Sequence, residues 1–285
     1  MSHHHHPTHD AVHHPHQRTD AQDQHRILDL DAEVFGAHLA AVLDLAGVFA
    51  PRSVVDLGAG TGAGSRLLRS RYPEAALTCV DNDPQMLELL RAQGFTVVEA
   101  DLDDGFPALS GTVPTATAAA ADSGVDLVWA SSSLHHVARP ARLLSGVHDA
   151  LASGGVLVIA ELATLPDFVG ISSQGDPRDA LLEQRCHSLA AAEGWNHYPD
   201  WTPFIEAAGF RATRSEVTTV APVTPAAREY AQEWLARFSR LAGLTADDRA
   251  AVEDLVHRLR HGLPLGPRAI RTVWVATPDR NSTPN

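Results

Sequence analysis

The 285-residue sequence contains no lysine: all 22 of its basic residues are arginine, against 35 Asp and Glu. Together with an abundance of alanine, this lack points to coding bias and carries no mechanism. The shortage of positive charge says more. A formal net charge of −13 repels phosphate and argues against a nucleic-acid partner. Cysteine is scarce too. Cys79 and Cys186 supply neither a disulfide framework nor metal-ligand spacing, which suits a reducing cytoplasm. No apolar run is long enough to span a bilayer, and no signal-peptide core follows the N-terminus. What remains is an ordinary folded composition, 44% hydrophobic. The length suits one large domain with insertions, or a core with a small cap.

The most informative run is Val54-Val55-Asp56-Leu57-Gly58-Ala59-Gly60-Thr61-Gly62. An apolar pair, an acid, then glycines at alternate positions read as a buried strand breaking into a turn that opens a helix. Glycine turns with positive φ and lets a ligand approach the main chain. The helix behind it offers free N–H groups. Such a turn in an α/β unit is a nucleotide-type cofactor site. Two cofactors compete for it. Gly58, Gly60 and Ala63 satisfy the dinucleotide fingerprint, which keeps an NAD(P)-dependent oxidoreductase open. Asp56, two residues before the first glycine, would repel a pyrophosphate and attract an ammonium or sulfonium group.

The pattern Asp56-x-Gly58-x-Gly60-x-Gly62 resembles that of class I S-adenosylmethionine-dependent methyltransferases, and the similarity extends over most of the chain. A strand over 77–80 ends in Asp81, about 20 residues beyond the glycines, where this architecture puts a ribose-binding acid. Asn82-Asp83-Pro84 then opens a helix carrying Met86. A short strand over 95–98 leads to Asp101-Leu102. The resemblance implies S-adenosylmethionine as the cofactor. Asp56, Gly58, Ala59, Gly60 and Gly62 would hold its methionine end, Asp81 its ribose, and Asp101 with Leu102 its adenine, with Asn82 and Met86 as further cofactor contacts. Asp83 reads alternatively as a helix N-cap.

A fourth strand over 125–130 runs into Ser131-Ser132-Ser133-Leu134-His135-His136-Val137, which is similar to the family segment lying beneath the sulfonium. Ser131 joins the expected cofactor contacts. His135 and His136 are candidate general bases, since a neutral imidazole can take a proton from a hydroxyl, phenol or amine. Helix packing or loop bonding is the plainer reading of the pair. Methyl transfer asks for alignment above all, so a base is not obligatory. The fifth strand, with the turn before it, covers 151–161. Its last residue, Glu161, sits at the carboxyl edge where ligands bind in open α/β sheets.

The chain divides into five expected parts. Residues 1–24 form a His-rich polar tail, too poor in apolar residues to order itself. Residues 25–50 carry apolar positions at helical spacing and would form a lid. Residues 51–165 are the cofactor-binding core. Residues 166–201 are an inserted segment in which Phe168, Trp195, His197, Tyr198 and Trp201, with Glu161, are candidate acceptor contacts; packing in the core or lid explains the two Trp equally well. Residues 202–285 complete the sheet, with a two-helix insertion over about 224–261. Residues 108–124, rich in small residues, read as a loose loop or a weak helix on the surface.

From the resemblance, the expected fold is a Rossmann-like, doubly wound α/β sheet of seven strands. Its order would be 3-2-1-4-5-7-6, the last strand antiparallel, with helical cap insertions. The expected function is direct methyl transfer to a small molecule, in the cytoplasm and in specialised metabolism. No metal, nucleic acid or membrane is expected, and the amphipathic C-terminal helices suit a homodimer. The alternatives are the oxidoreductase, a non-methylating reaction around the same bound cofactor, and a binding protein that has lost its chemistry.

Overall fold

The computed structural model describes residues 15–47, 50–109, 124–169, 176–195 and 200–279, with side chains from residue 25 onward. The chain runs α1 (Pro15–Ala46), β1 (Ser53–Leu57), α2 (Ala63–Arg71), β2 (Ala76–Asp81), α3 (Pro84–Ala92) and β3 (Thr96–Glu99). Then come β4 (Val125–Ser131), α4 (Pro140–Ala150), β5 (Leu151–Leu162), α5 (Pro177–Ala192) and α6 (Thr202–Ala207). β6 (Phe210–Val220), α7 (Pro225–Phe238), α8 (Ala246–Arg260) and β7 (Arg268–Pro278) complete it.

The seven strands form one sheet in the order β3-β2-β1-β4-β5-β7-β6. β1, β2, β3, β4 and β5 pair in parallel, while β7 runs antiparallel to both β5 and β6. The expected topology is the observed one. Its central strands are buried on both faces, as parallel sheets require. Side chains alternate along each strand. Leu127 and Trp129 of β4, with Val156, Val158 and Ala160 of β5, pack beneath α2 and the C-terminal half of α1. Val128 and Ala130, with Leu157 and Ile159, pack against α4 and α6 on the opposite face.

A third apolar cluster stands at the carboxyl edge, built from α5, α7, α8 and the first half of α1. α1 serves two cores because it kinks at Phe35 (φ −112°, ψ 17°). Before the kink Leu30 joins the cap; after it Leu39, Val42 and Leu43 lie on the sheet. The helix also starts earlier than expected. Pro15 to Gln24, assigned from the sequence to a polar tail, are helical. Proline suits a first turn, and a helix fixed by packing further along propagates at one hydrogen bond per residue. The rest of the expected tail, residues 1–14, and most of the expected loop over 108–124 lie outside the described residues.

Candidate functional site

β1 ends at Leu57, and the glycine turn that follows is tied to β2. The N–H groups of Gly58 and Ala59 both donate to the Val80 carbonyl, at 2.9 and 3.0 Å. Gly58 has φ +67°, and a Cβ there would stand 2.5 Å from Ser133 Cβ. Only glycine lets this turn and the segment after β4 close on one another. Ser133 Oγ fastens the closure, donating to the Leu57 carbonyl at 2.8 Å.

The acids that follow β2 and β3 organise the neighbouring loops. Asp81 Oδ2 accepts from Gly60 N at 2.8 Å and Oδ1 from Asp83 N at 2.9 Å. One carboxylate thus clamps the glycine turn to the start of α3. Asp83 caps α3 through Gln85 N at 2.7 Å, the plainer reading from the sequence. Asp101 Oδ1 accepts from Asp103 N at 2.9 Å, and Asp103 Oδ1 from Arg139 N at 2.8 Å.

These elements enclose a cavity of about 340 Å³, within the usual range for small-ligand sites. Gly58, Gly60, Asp81, Asn82, Met86, Asp101 and Leu102, all expected from the sequence, line it together. His25 and Leu28 of α1 line it too, with Asp83, Ala100, Asp103, Ser132, Ser133, His136 and Val137. Leu28 was legible only as one apolar position of a helix. Ser132 carried no signal; it holds φ +52°, a strained conformation for a residue with a Cβ.

Four expected cofactor residues lie elsewhere. Asp56 is 3% exposed, its Oδ2 accepting from Ser65 Oγ at 2.5 Å beneath the turn. Burial lifts its carboxyl to about 7, with Asp81 adding to the rise and Ser65 opposing it. Ala59 packs with Cys79, Leu90 and Phe95. Gly62 caps α2 against Leu90 and Gln93. Ser131 ends β4, one residue short of the cavity wall.

His135 and His136 occupy a single 3₁₀ turn over Leu134–His136. Their ring centroids are 3.9 Å apart. His136 lines the cavity; burial, and secondarily His135, lower its pKa against a raising effect of Glu161. Glu161 is fully buried. Its Oε1 accepts from Leu134 N at 3.0 Å and its Oε2 lies 2.9 Å from His135 Nδ1. Enclosed in this way, Glu161 does not offer itself to an acceptor, contrary to expectation.

The expected aromatic wall is mostly cap interior. Phe168 is fully buried, edge-on to Tyr230 at 5.5 Å. Trp195 packs near Phe238 in the same cluster, 6.4 Å between centroids. Trp201, 1% exposed, belongs to the core beneath the sheet. Large aromatics were drawn inward because burying their area outweighs exposing it. His197 and Tyr198 lie outside the described residues. Among the described residues, no helix is long and apolar enough to cross a membrane, and no group of three His, Cys, Asp or Glu could hold a metal.

Against this geometry, residues 55–157 match a sequence family described as a methyltransferase domain. The chain is 36% identical over 148 residues to a trans-aconitate 2-methyltransferase of an Acidovorax species, a match covering 51% of this chain and 47% of that protein. It is 35% identical over 126 residues to a malonyl-[acyl-carrier protein] O-methyltransferase of Laribacter hongkongensis, covering 40% and 38%. The matched part therefore spans about half, or less, of these relatives. Among solved structures, a chain from a complex of a methyltransferase activator with a methyltransferase of Haloferax volcanii shares the fold. Its TM-score is 0.51 at 18% identity, over 94% of this chain and 97% of that one.

Proposed function

We propose that the chain, whose residues 55–157 match a methyltransferase domain, is a class I S-adenosylmethionine-dependent methyltransferase that moves a methyl group directly to a small-molecule acceptor. One observation carries the choice of cofactor. Among the described residues, the formally charged side chains lining the cavity are the carboxylates of Asp81, Asp83, Asp101 and Asp103, and no arginine lines it. That field favours a cation and opposes a pyrophosphate; each close pair is worth about 4 kcal/mol in the partly screened environment near a protein surface. Bound there, S-adenosylmethionine supplies an activated methyl group on a positively charged sulfur.

The residues present fit it. Each oxygen of Asp81 already accepts one backbone N–H and keeps a second lone pair for a ribose hydroxyl. Asp101 Oδ1 is used by Asp103 N, leaving its other oxygen for an exocyclic amino group. Gly58 and Gly60 expose main chain to the ligand, and Leu28 closes over Gly60, whose added Cβ would stand 3.9 Å from Leu28 Cδ1. α1 is thus the lid, and His136 marks the side on which the acceptor approaches.

A net charge of −13 keeps nucleic acid out of the acceptor class. We assign the activity to the cytoplasm and to specialised metabolism. Two acceptor classes enter the screen: carboxylic acids, as in the relatives' names, and hydroxyl, phenol or amine compounds. The test is incubation with methyl-labelled S-adenosylmethionine and members of both classes. Label appearing in an ester, ether or methylamine supports the reading, and none in any product opposes it.

A further inference from the structure

β6 stands at one end of the sheet with only β7 beside it. The two strands pair in one unbroken register, from Phe210 opposite Pro278 to Val220 opposite Arg268. Among the described residues, no backbone hydrogen bond outside that ladder involves residues 210–220. In an antiparallel pair, alternate residues turn their N–H and C=O groups away from the partner. The outer edge of β6 therefore presents a row of open donors and acceptors.

Proteins guard such edges with short strands, lysine, proline, bulges or a covering element. β6 is 11 residues long, contains neither lysine nor proline, and keeps its register with β7 without a bulge. Its Arg211, Thr213, Arg214, Glu216, Thr218 and Val220 are exposed, Val220 at 62%. The strand does carry charge, and the order of the charges selects a partner.

Arg214 and Glu216 flank Ser215 on one face of the strand, their side chains 47% and 54% exposed. A two-fold axis normal to the sheet keeps each face on its own side, so residues paired across it share parity. Centred on Ser215, the axis sets Arg214 against Glu216 of the second copy, and Glu216 against Arg214. Centred on Arg214 or on Glu216, it would oppose like charges, which destabilises a cross-strand pair. The Ser215 register also sets Thr213 against Val217 and Phe210 against the exposed Val220, residue types that suit strand pairing. The apolar faces of α7 and α8, from which a homodimer was expected, are spent inside the cap. Tyr230, Leu235 and Phe238, with Val252, Leu255 and Leu259, are buried there.

We propose that the outer edge of β6 is an interaction surface for a second copy of this chain, the two β6 strands pairing antiparallel about Ser215 so that the sheet runs on from one copy into the other. No residue of β6 lines the cofactor cavity, so this surface is separate from the proposed methyl transfer.

The test is sedimentation equilibrium of the full chain and three charge variants, with circular dichroism to establish that each is folded. The wild type sediments as a dimer. Arg214→Glu and Glu216→Arg each turn both attractive pairs of the interface into like-charge pairs. Either one raises the dimer dissociation constant at least about tenfold, or 1.4 kcal/mol. Combining the two reversals exchanges the signs on both copies and returns the constant to within about threefold of wild type, a non-additivity expected only of residues in contact. A monomeric wild type overturns the proposal, and needs no variant to fold. So does a dimer that either single reversal leaves intact, or that the combined reversal fails to restore.

Discussion

Asp56 and Ser65 face each other at 2.5 Å beneath the glycine turn, the Ser65 hydroxyl donating to Asp56 Oδ2. Ser65 Oγ in turn lies 3.2 Å from Cys79 Sγ. β1 pairs Asp56 with Cys79 on one side and Trp129 on the other, so all three side chains point to the face that α2 covers. The acid in the motif thus secures the turn from below, and the selection of charge passes to the acids lining the cavity.

Burial raises the Asp56 carboxyl from its ordinary 3.8 to about 7, and the sign of its linkage follows. On raising pH from 3.8, the unfolded chain loses this proton first. The penalty on the fold is absent at low pH, grows between 3.8 and about 7, and is complete above that. Asp56→Asn stays neutral and can still accept from Ser65. Wild-type stability relative to Asp56→Asn should fall by a few kcal/mol across that window, measured by denaturant titration at a series of pH values. S-adenosylhomocysteine binding should survive the substitution.

His38 behaves in the opposite sense. It is 1% exposed, bonded through Nδ1 to Thr219 Oγ1. Burial, assisted by the Arg271 charge, lowers its pKa from 6.5 to about 4. The unfolded state takes the proton first as pH falls, so His38 contributes full stability above 6.5 and loses it on the way to about 4. His38→Gln should remove about 3 kcal/mol of that acid dependence, read from denaturant midpoints at pH 7 and pH 4.

α1 is anchored by an ion pair between the half-buried Asp31 and the fully buried Arg271. Arg271, 1% exposed, donates through Nη2 to Asp31 Oδ2, and Tyr230 donates to Asp31 Oδ1 at 3.0 Å. Among the described residues, Nε and Nη1 of Arg271 have no partner. Asp31→Ala should cost about 3–5 kcal/mol, because it strands a buried guanidinium. Adding Arg271→Met should recover a large part of that loss. A double-mutant cycle by thermal or chemical unfolding measures both.

Gly58 and Gly94 separate strain from collision. Both have positive φ, +67° and +77°, but a Cβ at Gly94 meets nothing within 4 Å, whereas one at Gly58 strikes Ser133. Gly94→Ala should cost about 1–2 kcal/mol from φ alone and leave cofactor affinity unchanged. Gly58→Ala should cost more and weaken S-adenosylhomocysteine binding at least about tenfold, or 1.4 kcal/mol. Calorimetry paired with denaturation distinguishes the two.

Much of this was legible in the sequence, for physical reasons that also mark where legibility ended. The run from Val54 to Gly62 and the acids at 81 and 101 disclosed the cofactor side, because a turn of fixed backbone geometry must be written in glycine. The helix α5, Pro177–Ala192, falls within the expected inserted segment, and Pro177 with the Asp176 cap marks its start. Strand order came from the family resemblance; periodicity alone carries no information about which strands pair. Spacing placed Asp56 in a strand but could not say which face it took. Phe168, Trp195 and Trp201 read as a pocket wall because composition does not separate a wall from an interior. The early start of α1 at Pro15 was hidden because its first turns lack the apolar spacing that begins at Ile27.

The central claim, that this cavity holds a cationic adenosyl cofactor and not a dinucleotide, is tested most directly by calorimetric titration. S-adenosylhomocysteine and NADH are titrated separately into the wild type and into Asp81→Ala. The account requires the wild type to bind S-adenosylhomocysteine and not NADH, with affinity falling at least about tenfold in Asp81→Ala, or 1.4 kcal/mol. Binding of NADH, or S-adenosylhomocysteine binding indifferent to Asp81, would contradict it.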